Sequence, residues 1–262
     1  MNFKLNNLPK RTVKPREVGL TMVMDKNLSL REIDDFLTVN LPYVDMVKLG
    51  FGTAYVLPNL REKLEKYKSA GLATYFGGTL FEAFIARDQF YDYMELIQKY
   101  EMPLVEVSDG SLEMEHKVKL DYIAEISKVT KVISEVGSKD NEHIIPPYKW
   151  VKLMKDELEA GSWKVIAEAR ESGTTGIYME GGSPRLGLVD EILHEIPQEN
   201  IIWEAPIKSQ QVYFIKKLGP NVNLGNIAPS DVIPLETLRL GLRGDTFHHF
   251  LDENVLKEFQ LK

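Results

Sequence analysis

The chain has 262 residues, 44% of them hydrophobic, with a net charge of −7 and no cysteine. The acidity argues against nucleic acid or an anionic membrane as partner, and no apolar stretch approaches the ~20 residues of a membrane span. Without cysteine there are no disulfides, thiolate nucleophiles or cysteine-bound metals, and the cytoplasm is the expected location.

Residues Met1 to Arg16 read as an extended lead-in punctuated by Pro9 and Pro15. It is basic, with Lys4, Lys10, Arg11, Lys14 and Arg16, but no apolar run follows, so a secretory signal is not expected. Val18 to Met24 is the first strand, closed by Asp25-Lys26. Ser29-Leu30-Arg31-Glu32 has capping-box spacing, and Leu30, Ile33, Phe36 and Leu37 recur at the helical period. Val44 to Leu49, containing Lys48, is the second strand and stops at Gly50-Phe51-Gly52-Thr53. Pro58 then opens a helix lined by Leu60, Leu64 and Tyr67, and Gly71 ends it.

The alternation continues through the chain. Leu72 to Phe76 is strand three, followed by Gly77-Gly78-Thr79 and a helix carrying Phe90, Tyr93, Met94 and Ile97. Leu104 to Ser108 is strand four, followed by Asp109-Gly110-Ser111 and a helix over Leu112 to Thr130. Lys131 to Val136 is strand five. Lys139 to Tyr148, with Pro146-Pro147, is the longest irregular connection and a candidate lid. A helix over Lys149 to Ala160 leads to strand six, Lys164 to Ala169. Strand seven is Ile201 to Ala205, strand eight Asn221 to Ile227, and the helices after strands six, seven and eight carry Leu186-Val189-Ile192-Leu193, Val212-Phe214-Ile215-Leu218 and Leu235-Leu238-Leu242.

Eight strand-then-helix units of similar length read as a single (β/α)8 TIM-type barrel over residues 1–262, with a doubly wound open sheet as runner-up. A C-terminal extension follows Thr246; its Val255, Leu256 and Phe259 pack outside the barrel or form a contact in a homo-oligomer.

Four successive strands carry a glutamate near the C-terminal end: Glu106, Glu135, Glu168 and Glu204. A carboxylate in a short β-branched run serves packing poorly. If the strands are parallel neighbours, four carboxylates converge on one space, and buried like charges demand a counter-ion. Oxygen ligands without cysteine suit Mg²⁺ rather than Zn²⁺, so the four are expected as metal ligands. None of the five histidines shows ligand spacing. Lys48, Lys139 and Arg170 are the candidate catalytic cations at the same strand ends. Ser209 and Gln210 at a helix start, with Asn223 and Asn226 of strand eight, are candidate substrate-binding residues for an anion. Helix capping and turn formation explain the same residues equally well.

At these positions the sequence resembles the phosphosulfolactate synthase family. The shared features are Lys48-Leu-Gly-Phe-Gly-Thr53, Gly77-Gly-Thr-Leu-Phe-Glu82, Glu106-Val-Ser-Asp-Gly-Ser111, Ser134-Glu-Val-Gly137, Glu168-Ala-Arg-Glu-Ser-Gly173, Glu204-Ala-Pro206 with Ser209-Gln-Gln211, Val222-Asn-Leu224 with Asn226-Ile227, and Leu238 to Thr246. The resemblance implies a barrel enzyme of the carbon–sulfur lyase class. It implies Mg²⁺-dependent addition of sulfite to phosphoenolpyruvate, giving (2R)-2-O-phospho-3-sulfolactate, from which both sulfolactate as an end product and coenzyme M biosynthesis start. Its partners would be small anionic substrates. Two other readings stay open: a Schiff-base aldolase using Lys48, Lys139 or Lys208, and a non-catalytic barrel acting in stress tolerance.

Overall fold

The computed structural model describes residues 3–137, 145–169, 172–252 and 255–256. Its strands are β1 (Thr21–Asp25), β2 (Met46–Leu49), β3 (Ala73–Phe76), β4 (Leu104–Val107), β5 (Lys131–Val136), β6 (Ser162–Ala167), β7 (Ile201–Glu204) and β8 (Leu224–Ile227). They lie parallel in the order β3-β2-β1-β8-β7-β6-β5-β4, and β3 packs beside β4, so the ends of the sheet meet in a (β/α)8 barrel. Parallel strands walled by helices are buried on both faces, which is why β1, β2, β4, β7 and β8 are buried at every residue.

Helices alternate with the strands: α1 (Leu30–Asn40), α2 (Thr53–Val56), α3 (Leu60–Ser69), α4 (Gly78–Ile85), α5 (Phe90–Lys99), α6 (His116–Ser127), α7 (Pro147–Glu159), α8 (Leu186–Glu195), α9 (Lys208–Leu218) and α10 (Val232–Arg239). The capping box of α1 forms as its spacing predicts: the Glu32 amide donates to Ser29 Oγ at 3.3 Å, and the Ser29 amide donates to Glu32 Oε2 at 2.8 Å. Outside the barrel wall, Trp203 of β7 stacks on Phe214 of α9 with ring centroids 4.7 Å apart. None of the described helices is long and apolar enough to cross a membrane.

Several boundaries differ from expectation. The helix expected over Leu112 to Thr130 is the shorter α6, because Ser111 to Glu115 leaves the helical path. The double glycine at 77–78, read as a turn, instead opens α4. Strand eight begins at Leu224 rather than Asn221. Asn221 instead accepts from Arg11 Nη1 at 2.6 Å, and Arg11 also pairs with Glu236 at 3.0 Å. The basic lead-in is thus fastened to the N-terminal end of the barrel, which leaves the other end open.

Gly137, where β5 ends, has φ +146°, and a Cβ there would stand 2.5 Å from Glu168 Cβ and 2.9 Å from the Trp150 ring. Glycine is required on both counts. Gly137→Ala should therefore lower the unfolding free energy by about 2 kcal/mol or more in urea titration. An unchanged midpoint would mean that the β5–β6 junction relaxes at no cost.

Candidate active site at the barrel mouth

The C-terminal ends of the strands surround a cavity of about 470 Å³. Every βα unit contributes to its lining: Met24 from β1, Lys48 from β2, Thr79 after β3, Glu106 from β4, Glu135 from β5, Glu168 after β6, Glu204 from β7 and Asn226 from β8. Phe51, Ser111 and Ser172 complete the rim. Met24, Lys48 and Tyr75 are register partners on adjacent strands, so their side chains leave the sheet on the same, inner side.

Lys48 is the hub. Its Nζ stands 2.9 Å from Glu106 Oε1, 3.5 Å from Glu135 Oε2 and 3.6 Å from Glu204 Oε1, with all four side chains buried. Burial alone would depress the ammonium. Glu106, Glu135 and Glu204 together outweigh it and hold the Lys48 pKa well above the ordinary lysine value. Lys48 is therefore a fixed cation.

The carboxylates answer the same environment in the opposite sense. Burial raises Glu106, and Lys48 opposes that rise. Burial pushes Glu204 up to about 7, again with Lys48 pulling against it and Glu135 adding to it. Glu106 Oε1 also accepts from the Gly78 amide at 2.6 Å, at the start of α4, where the helix dipole favours negative charge. That contact depends on glycine, because a Cβ on residue 78 would lie 2.2 Å from Ser108 Oγ and 2.9 Å from Glu106 Oε1.

Glu135, Glu168 and Glu204 each offer an oxygen within 4.8 Å of the others. Glu204 Oε2 accepts from the Ala169 amide at 2.9 Å, while its buried Oε1 has no hydrogen-bond partner among the described residues and meets Lys48 Nζ only at 3.6 Å. An all-oxygen trio of this kind fits a hard divalent cation. Glu106, expected as a fourth ligand, stands apart from this trio and is engaged by Lys48 and the start of α4.

The expected anion-binding residues do not converge. Asn226, at the end of β8, does line the cavity; its φ is +55° and its Oδ1 has no hydrogen-bond partner among the described residues. Asn223 lies at the opposite end of the barrel. It accepts from the Gly19 and Leu20 amides at 2.9 and 3.0 Å and donates to the Ile201 carbonyl at 3.0 Å. The correction has a simple cause: β8 starts after Asn223, so this polar side chain belongs to the strand's beginning. Gln210 is fully buried and spends its amide on the Gly173 and Gly182 carbonyls at 2.7 and 3.1 Å, which fastens the β6–α8 loop. Ser209 is exposed in the first turn of α9 and does not line the cavity. Lys139, Arg170 and most of the candidate lid lie outside the described residues.

Sequence reasoning passed over Thr79 and Ser111, whose surrounding glycines read as turns. It also passed over Glu82, which is buried in α4 and accepts from Ser108 Oγ and the Ser111 amide, both at 2.5 Å, shaping the β4 loop. Its signal in the sequence is a carboxylate inside the apolar run Leu80 to Ile85.

Residues 9–245 match the family model described as (2R)-phospho-3-sulfolactate synthase (ComA). The phosphosulfolactate synthase of Bacillus subtilis (strain 168) is 42% identical over 250 residues, covering 94% of this chain and 99% of that protein. Its counterpart in Methanothermobacter thermautotrophicus is 41% identical over 244 residues, covering 91% and 95%. Among solved structures, 3-hexulose-6-phosphate synthase from Salmonella typhimurium superposes with a TM-score of 0.56 at 14% identity, covering 86% of this chain and 100% of that one. At that identity the likeness shows the fold alone.

Asn223→Ala should cost about 1–3 kcal/mol, the range for orphaned buried backbone groups, while leaving unchanged whatever affinity the mouth has for Mn²⁺. Urea denaturation and calorimetric titration would check the two halves separately. Altered Mn²⁺ affinity at full stability would return Asn223 to the site.

Proposed function

The chain belongs to the (2R)-phospho-3-sulfolactate synthase family, and from that premise we propose that it adds sulfite to phosphoenolpyruvate, with Mg²⁺ as cofactor. The product would be (2R)-2-O-phospho-3-sulfolactate, formed by a carbon–sulfur lyase working in the bond-forming direction. The observation that carries the reading is the approach of Glu135, Glu168 and Glu204 to within 4.8 Å, in a cavity that also holds a fixed ammonium.

These three carboxylates would hold the cation, and their lack of nitrogen or sulfur donors suits Mg²⁺. When bound, Mg²⁺ supplies positive charge where the substrate carboxylate gains electrons. In the reaction the sulfur lone pair of sulfite forms a bond to the methylene carbon. The π electrons of the double bond move into the carboxylate as an enediolate-like dianion, and the adjacent carbon takes a proton. The phosphate ester stays intact and no oxidant is needed.

The chain's own residues divide this work. Both reactants are anions, so their mutual repulsion must be offset before they meet. Lys48, kept charged by its carboxylates, suits holding an anion far better than releasing a proton. Asn226 offers its side-chain amide at the β8 edge of the cavity. We assign the second anion-binding cation to Arg170 and proton donation to Lys139. A chain without cysteine suits the reducing cytoplasm, where disulfides are not used.

A Schiff-base aldolase needs a neutral amine. Lys48 is held protonated, and Lys208 is exposed and paired with Asp245 at 3.0 Å, so neither supports that chemistry. A non-catalytic barrel gains nothing from buried like charges.

Purified protein with sulfite, phosphoenolpyruvate and Mg²⁺ should yield the adduct by mass and by phosphorus NMR, and excess chelator should stop its formation. No adduct under any Mg²⁺ concentration would end the proposal. Lys139→Ala should lower kcat by about 10²- to 10⁴-fold with Mn²⁺ affinity retained; near-normal kcat would pass the proton to another donor.

Cation binding should also depend on pH. Burial pushes Glu204 up to about 7, above the 4.5 of an exposed glutamate, so the folded protein binds more protons than the unfolded chain between those values. That stabilisation is complete below pH 4.5 and lost as pH rises through about 7. A cation must displace the proton, so Mn²⁺ affinity should rise between pH 6 and 8 by up to about tenfold per unit, with proton release in calorimetry. A flat profile would mean that Glu204 is already ionised.

A further inference from the structure

We infer that Lys119 and Tyr178 are positioning residues, which grip the main chain under Glu135 and Glu204 and so fix where those carboxylates meet a divalent cation. The inference rests on the cation reading above and concerns residues that never touch the reactants.

All three glutamates of the trio sit at or next to the C-terminal ends of their strands. The register of β4 with β5 runs to Val107 and Ser134, the residue before Glu135. Lys119 of α6 reaches in at this point: its Nζ donates to the Glu135 carbonyl at 2.7 Å. The same ammonium reaches Asp109 Oδ1 in the β4–α6 loop and Glu157 Oε1 of α7, both at 2.8 Å. Lys119 and Glu157 are essentially solvent-free. One buried lysine thus ties β5, the loop after β4 and α7 together at the residue carrying a candidate ligand.

Glu204 repeats the arrangement. It is the last residue of β7, and its carbonyl accepts from the Tyr178 hydroxyl at 2.6 Å, reaching in from the loop after β6. Tyr178 is itself buried and held by its pairing with Pro184. For Glu168 the same task falls to a backbone group, the Ile177 amide at 3.0 Å. Three candidate ligand residues at the strand ends each have their carbonyl gripped by a group from outside the sheet.

A lysine is a costly way to satisfy one carbonyl. Burying Lys119 brings the burial of Glu157 with it, and removing the lysine alone would leave Glu157 a buried charge without its ion-pair partner, whereas without Glu157 the lysine keeps Asp109. Plain stability would be served as well by an apolar pair. Directional donation to the Glu135 carbonyl is what an apolar pair lacks.

The test separates positioning from mere folding. Tyr178→Phe deletes one hydroxyl in an otherwise unchanged ring, and Lys119→Met with Glu157→Gln removes both charges together. Glu157→Gln alone keeps the donor to Glu135. Mn²⁺ dissociation constants would be measured by calorimetry without substrate, alongside thermal unfolding of the cation-free proteins. Tyr178→Phe and the double variant should bind Mn²⁺ about tenfold or more weakly, as loss of outer-shell support generally does, and Glu157→Gln should bind it nearly as the unaltered protein does. Unchanged Mn²⁺ affinity in Tyr178→Phe, which is isosteric and will fold, would overturn the inference even if the double variant did not fold. Equal losses in Glu157→Gln and the double variant would also overturn it, since the ion pair would then matter rather than the carbonyl bond. If the unaltered protein binds no Mn²⁺, the cation reading itself fails and this inference falls with it.

Discussion

Four buried carboxylates, Glu106, Glu135, Glu168 and Glu204, share one cavity with Lys48 and set the terms for the rest of this molecule. Gathering so much charge of one sign in a low-dielectric pocket is costly unless it is compensated. Protons and cations are the means of compensation. The upward push on Glu106 and Glu204 favours compensation by protons. A divalent cation would replace them, and the gathered negative charge would become the grip on the metal. An addition that builds charge on a substrate carboxylate needs such a counter-charge placed beforehand.

The barrel makes this possible by dividing its two ends. At the N-terminal end, Arg11, Asn221, Asn223 and the buried Arg239 spend their polar atoms on backbone carbonyls, amides and one another, so that end is closed by hydrogen bonds. At the C-terminal end, the same strands stop short and turn polar side chains into a shared space, as barrels with sites at that face do. Glu106 illustrates the economy of the arrangement. The start of α4 and Lys48 oppose the upward push of burial on it, and in return it helps hold Lys48 charged.

How much of this is legible in the sequence depends on whether a residue's neighbours are local. The strand-end glutamates are readable because a carboxylate in a β-branched run contradicts packing, and the contradiction recurs near the C-terminal end of four successive strands. The barrel follows from eight repeats of the same unit. Asn223 misleads because a polar residue near a short strand belongs to either end, and only the start of β8 at Leu224 decides which. Gln210 misleads differently: a helix start looks open to an anion until the Gly173 and Gly182 carbonyls, distant in sequence, take its amide. Lys119 leaves no signal, since its partners Asp109, Glu135 and Glu157 come from three other elements.

Anomalous scattering from crystals soaked in Mn²⁺ addresses the central claim most directly. A cation site built by the trio predicts one dominant peak within ~2.5 Å of oxygens from Glu135, Glu168 and Glu204, with Lys48 drawn toward Glu106. A saturating soak that leaves those carboxylates without a peak, or that places Mn²⁺ on other residues, would contradict it.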